Sequence, residues 1–112
     1  MLPGGIGNYG EALAVKYLSD KGCKILARNF RSKMGEIDVI AEDGKYIVFV
    51  EVKYRTDNLY GEPFEAVTAA KRRKIRRTAE LYLLKTGNIN RDCRFDVIDI
   101  LDGRIEHYEN AF

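Results

Sequence analysis

A mixed α/β fold, one sheet of parallel and antiparallel strands flanked by helices, is what this sequence predicts. Three observations carry the prediction. Two apolar segments, 35–41 and 46–54, surround Asp43-Gly44, a hairpin signal that makes them antiparallel neighbours. The second is followed by a helical region and then by another strand, 94–101, and such a crossover calls for some parallel pairing. Finally, 112 residues, 46% hydrophobic and 32% charged, suffice for a single domain, 1–112, but not for a second core.

In chain order, residues 9–21 read as a helix closed by Gly22, with Ala14, Val15 and Leu18 on its apolar stripe and Glu11 on the same side. Residues 23–30 are a weaker strand candidate. The strands 35–41 and 46–54 are rich in Ile, Val, Phe and Tyr. A polar loop follows, then a helix from Pro63 or Thr68 to Lys85, ended by Gly87, with Ile75, Ala79, Tyr82 and Leu83 facing the core. The strand 94–101 turns at Asp102-Gly103 into a short last strand, 104–108. Cys23 and Cys93 read as small buried hydrophobes, and His107 as structural.

Composition excludes several classes. No apolar run approaches the roughly 20 residues of a membrane span. The first residues lack a basic and apolar leader pattern, so a soluble, cytoplasmic protein is expected. Two cysteines and one histidine argue against a disulfide scaffold and a histidine-rich zinc site. Nineteen Lys+Arg against seventeen Asp+Glu leave a net charge of +2, but the charges are unevenly placed. Six of the seven residues 71–77 are cationic, while acids gather at Glu36, Asp38, Glu42, Asp43 and Glu51. That asymmetry points to a polyanionic partner.

The chemistry is written in the hairpin. Strand side chains alternate between faces, so Ile47, Phe49, Glu51 and Lys53 share one face of the second strand, and Glu36, Asp38 and Ile40 share one face of the first. A turn pairing Glu42 with Lys45 sets Asp38 opposite Phe49 and Glu36 opposite Glu51, gathering all four charged residues on one face. Facing carboxylates destabilise a strand pair unless something neutralises them. Lys53 can neutralise one, and a hard cation such as Mg²⁺ or Mn²⁺ can neutralise both. Asp38 and Glu51 would hold the cation with the Val52 carbonyl, and Glu11 completes the cluster if the first helix packs over this face. Lys53 then stands where it can orient the attacking water or stabilise charge. Phosphodiester hydrolysis is the reaction this layout suits. The plain alternative is a solvated strand edge.

Asp38, twelve residues, then Glu51-Val52-Lys53 resembles the PD-(D/E)xK signature of restriction-endonuclease-like nucleases, with Ile37 where proline is usual. Gly7-x-x-Gly10-Glu11-x-x-Ala14, Arg28-Asn29-Phe30-Arg31, Gly35-Glu36-Ile37-Asp38-Val39-Ile40, Phe49-Val50-Glu51-Val52-Lys53-x-Arg55 and Ala66-Val67-x-x-x-Lys71 resemble the bacterial YraN family, similar in fold to archaeal Holliday-junction resolvases. The resemblance, which extends to Asn110-Ala111-Phe112, implies a restriction-endonuclease-like core and a metal-dependent endonuclease acting on DNA, branched DNA included. It implies Asp38 and Glu51 as metal ligands, Lys53 as the catalytic lysine and Glu11 as the acid of the first helix. Glu36 fills a position where the family also has Glu. Resolvase relatives commonly pair, so a homodimer is expected.

In the basic run, Arg72, Arg73, Lys74, Arg76 and Arg77 spread around the helix and suit phosphate contacts. Lys71, one turn before Ile75, reaches toward the hairpin face. Arg55, with Arg28, Arg31 and Lys33, extends the positive surround. Tyr54 and Tyr60 suit either base stacking or packing on the sheet. Asp96 and Asp99 face opposite ways; one of them could support the site through an arginine, and neither is assigned a catalytic role. The competing reading is a nucleic-acid-binding module without turnover that uses helix 71–77; a third is a scaffold for protein partners.

Overall fold

The computed structural model describes residues 5–55 and 67–112, with side chains from Tyr9 onward. The expectations at Pro63 and Tyr60 lie outside the described residues. The elements run α1 (Gly5–Asp20), β1 (Lys24–Ser32), β2 (Gly35–Asp43), β3 (Tyr46–Arg55), α2 (Ala69–Thr86), β4 (Asp92–Leu101) and β5 (Arg104–Tyr108). They build one five-stranded sheet in the order β1-β2-β3-β4-β5. All neighbours are antiparallel except β3 and β4, which are parallel, as the crossover through α2 requires. This is the mixed sheet the sequence predicts.

The two faces carry separate cores. Ala14 and Leu18 of α1 pack with Val39, Ala41, Val48, Val50, Ile98 and Ile100. On the other face, Ile75, Ala79, Tyr82 and Leu83 of α2 pack with Ile37, Ile40, Ile47, Phe49 and Val97. Thr78 is also wholly buried on α2; its hydroxyl donates to the Lys74 carbonyl (2.8 Å) and meets Ser32 Oγ (3.2 Å). A hydroxyl satisfied within its own helix can stand in an apolar stripe at little cost. Thr68 caps α2, accepting from the Lys71 backbone N–H at 3.2 Å, and Gly87 closes it in the left-handed region (φ +72°).

Two features differ from expectation. Strand β1 extends to Ser32, longer than its composition suggests, because Phe30 and Ala27 pack against the α2-side core. The hairpin register is shifted by two. Asp43 pairs with Tyr46 and Ile40 with Phe49, leaving Gly44-Lys45 as the turn, with Gly44 at φ +58°. The expected pairings of Asp38 with Phe49 and of Glu36 with Glu51 are therefore replaced. Because side chains repeat every two residues, a shift of two keeps every residue on its face.

Candidate active site

Asp38 sits where the sheet is irregular. The β2–β3 ladder ends at Val39 and Val50, so one further step puts Asp38 across from Glu51. On its other side, between the Arg28–Val39 and Phe30–Ile37 pairs, stands Asn29 at φ +52°, a conformation Asn tolerates better than most residues. Strict alternation fails here. Ile37 and Ile40, three apart, both join the α2-side core. Instead of a ladder bond, the Val52 backbone N–H donates to Asp38 Oδ2 at 2.8 Å.

Four elements converge on this carboxyl. Glu51 on β3, only 10% exposed, lies within hydrogen-bonding reach of it. Lys71 Nζ from α2 is 3.3 Å from Glu51 Oε1, and Lys53 Nζ is 3.8 Å from the same oxygen. Glu11 from α1, Glu36 and Asp38 each bring a carboxylate oxygen within 4.8 Å of the others. Gly10 explains how α1 comes so close. A Cβ there would stand 2.7 Å from Tyr54 Cβ, so only glycine lets the helix press onto β3. Tyr54 itself packs edge-on against Tyr9, at 5.6 Å between centroids.

The electrostatics follow from the crowding. Burial, then the charge of Glu51, pushes the Asp38 carboxyl up to about 8, with Glu11 adding to the effect and the Val52 N–H opposing it. Burial and the adjoining Lys71 amine hold Lys53 below the ordinary lysine range, although Glu51 and Asp38 pull the other way. For Lys71, burial works against the charge but is outweighed by the contacts with Lys53 and Glu51, so its pKa is raised. Four carboxyl groups crowded into a half-buried site are the environment a hard divalent cation relieves. A cavity of about 300 Å³ opens onto them, lined by Gly35, Glu36, Asp38, Glu51, Lys71, Lys74 and Ile75.

The structure thus gathers Glu11, Glu36, Asp38, Glu51, Lys53 and Lys71. Val52 contributes its N–H to Asp38, and its side chain packs on the α1 face. Arg55, expected to extend the positive surround, is engaged by Asp99: its guanidinium makes two bonds to that carboxylate (3.2 and 3.1 Å) and is 17% exposed. Asp99 pairs with Lys53 in the β3–β4 register, so this ion pair braces the strand that carries the lysine. Asp96 faces the other way, where Arg94, His107 and the Asn110 N–H bind it and outweigh the effect of burial, lowering its pKa. Arg72 donates to the Val67 carbonyl (3.0 Å), and Arg76 lies over the Phe95 ring (4.8 Å). Lys74 and Gly35 line the cavity without having been assigned to it from sequence. The signal for Lys74 was its place one helical turn beyond Lys71.

Fold and site together define a mixed α/β protein with the arrangement of a restriction-endonuclease-like core and a half-buried acid–lysine cluster between its helices. The chain belongs to the UPF0102 family, the YraN family of the resemblance above: the model described as "Uncharacterised protein family UPF0102" matches residues 10–100. A UPF0102 protein of Symbiobacterium thermophilum is 47% identical over 112 residues, covering 96% of this chain and 95% of the relative. Another, from Persephonella marina, is 49% identical over 106 residues, covering 95% and 91%. One from Clostridium botulinum is 50% identical over 97 residues, covering 86% and 79%. Among the described residues, no helix is long and apolar enough to cross a membrane.

Proposed function

We propose that this protein is a divalent-metal-dependent endonuclease that hydrolyses phosphodiester bonds in DNA, with branched DNA as the substrate to test first. The observation that supports it best is the convergence of Asp38 and Glu51 from adjacent strands with two lysines on one Glu51 oxygen. The donor set consists of hard oxygens and fits Mg²⁺ or Mn²⁺. Asp38 and Glu51 would hold the cation, with Glu11 and Glu36 bordering it. When bound, such a cation polarises a phosphate oxygen and strengthens water as a nucleophile near neutral pH.

The chain's own groups do the rest. Lys53, short of its full proton affinity, is suited to orient water and to stabilise charge on the phosphate as it develops. Lys71, reaching from α2, holds the same Glu51 oxygen. Asp99 holds Arg55 and steadies β3 next to Lys53.

The test is a panel of four-way-junction, flap, nicked and single-stranded DNA incubated with Mg²⁺ or Mn²⁺. Cleavage that disappears in Lys53→Ala and Asp38→Asn while DNA binding persists supports the reading. Binding that ignores metal, with no substrate cut, would establish the module without turnover instead.

A further inference from the structure

Beside the acidic cavity lies a second one of about 280 Å³, lined by Lys33, Met34, Ala70, Arg73, Lys74 and Arg77. Lys74 borders both cavities, so the two adjoin along α2. Four of the six lining residues are cations. Arg73 and Arg77 stand one turn apart on the helix, a like-charge spacing that costs stability. Among the described residues no carboxylate pairs with Lys33, Arg73, Lys74 or Arg77, whereas Lys53, Arg55 and Lys71 at the neighbouring site all have one.

The groove is held in shape. Met34 N–H donates to Ser32 Oγ (3.0 Å), and Ser32 Oγ meets the buried Thr78 hydroxyl, tying the β1–β2 turn to α2. Gly35 presses against the same helix; a Cβ there would come within 3.2 Å of Thr78 Oγ1 and 3.3 Å of Lys74 Cβ. Met34, 38% exposed, supplies one soft apolar wall. The other arginines of the run face elsewhere, Arg72 onto the Val67 carbonyl and Arg76 onto Phe95.

We infer that this groove is a phosphate track: a nucleic-acid strand whose reacting phosphate sits at the acidic cavity passes over Lys74 and lays its neighbouring phosphates against Arg73, Arg77 and Lys33. The inference rests on the nuclease reading and deepens it by choosing which cations of the basic helix touch substrate. Arg73 and Arg77 do; Arg72 and Arg76 do not. Backbone contact of this kind carries affinity and salt dependence without base selectivity.

The test compares the double variants Arg73→Ala/Arg77→Ala and Arg72→Ala/Arg76→Ala, which remove equal charge from one helix. Fluorescence anisotropy with a labelled single-stranded oligonucleotide and its duplex, in Mg²⁺ and on a Lys53→Ala background, reads affinity against salt. The first pair is expected to lose about tenfold or more in affinity at low salt and to flatten the salt dependence by about one phosphate per cation removed, with the second pair near the parent. Thr78→Val, which unties the turn while keeping all charges, is expected to weaken binding in the same direction. Equal losses in both pairs would overturn the track and leave general electrostatic attraction. A mononucleotide or pyrophosphate that binds the parent as tightly as the strand would overturn it in favour of a small-anion site. If the parent cuts DNA but Arg73→Ala/Arg77→Ala binds normally, the track fails and the nuclease reading stands. If the parent neither binds nor cuts, both fall.

Discussion

Asp38 concentrates the energetics of the site in one side chain. Its folded pKa, about 8, lies above the value of 3.8 for an ordinary aspartate, so the folded chain binds this proton more tightly than the unfolded chain does. The stability this confers is complete below the unfolded value and is lost progressively as pH rises toward and through the folded one. Urea midpoints of the metal-free protein should therefore fall between pH 6 and 8.5, and Asp38→Asn should reduce that fall. Metal binding needs the deprotonated carboxylate. Calorimetry should show Mg²⁺ or Mn²⁺ affinity rising with pH through about 8, with proton release below it, and Asp38→Asn should remove both. An affinity flat across this range would mean that Asp38 does not ligate.

At the scale of elements, the site depends on how two helices approach the sheet. Gly10→Ala gains about 1 kcal/mol of helix propensity but inserts a methyl 2.7 Å from Tyr54 Cβ, and such overpacking costs about 1–3 kcal/mol. The collision should win, with a net loss near 1 kcal/mol in urea denaturation and weaker metal binding as Glu11 is pushed away. Thr68→Ala removes the cap bonded to the Lys71 N–H and should cost about 1 kcal/mol. Because Lys71 sits in that first turn, cleavage should drop more than in a change at the far end of α2 such as Lys85→Ala. Sequence alone places α2 and its apolar stripe. It leaves Thr78 out, because a hydroxyl bonded to its own helix gives no hydrophobic signal.

Across the whole molecule, the acid–lysine cluster and a second charged network occupy separate regions of the sheet. Arg94, Asp96 and His107 form the latter, with Asp43 and Glu109 at its margin. Arg94→Met would leave the fully buried Asp96 without its guanidinium. A loss of about 3 kcal/mol in thermal or urea unfolding is expected, the low end for a broken buried pair because His107 and the Asn110 N–H remain. Metal affinity should be unchanged, since none of these groups touches Asp38 or Glu51. A matching loss of metal affinity would show that the two networks are coupled.

By itself the sequence determined the mixed sheet, the two helices, and the face on which Glu51 and Lys53 stand. All of these follow from local patterns: apolar periodicity, turn residues and the two-residue repeat of a strand. It did not determine partners. The turn could close on Glu42 and Lys45 or on Asp43 and Tyr46, and the two-residue repeat makes those choices indistinguishable by face. Only the tertiary structure put Asp38 one step past Val39–Val50 and across from Glu51. It also broke the alternation beside Asn29, tied Arg55 to Asp99, and sorted one run of cations into those facing backbone or ring and those lining a groove. Such outcomes depend on which distant side chains reach one another once both cores are packed, and no local pattern records that.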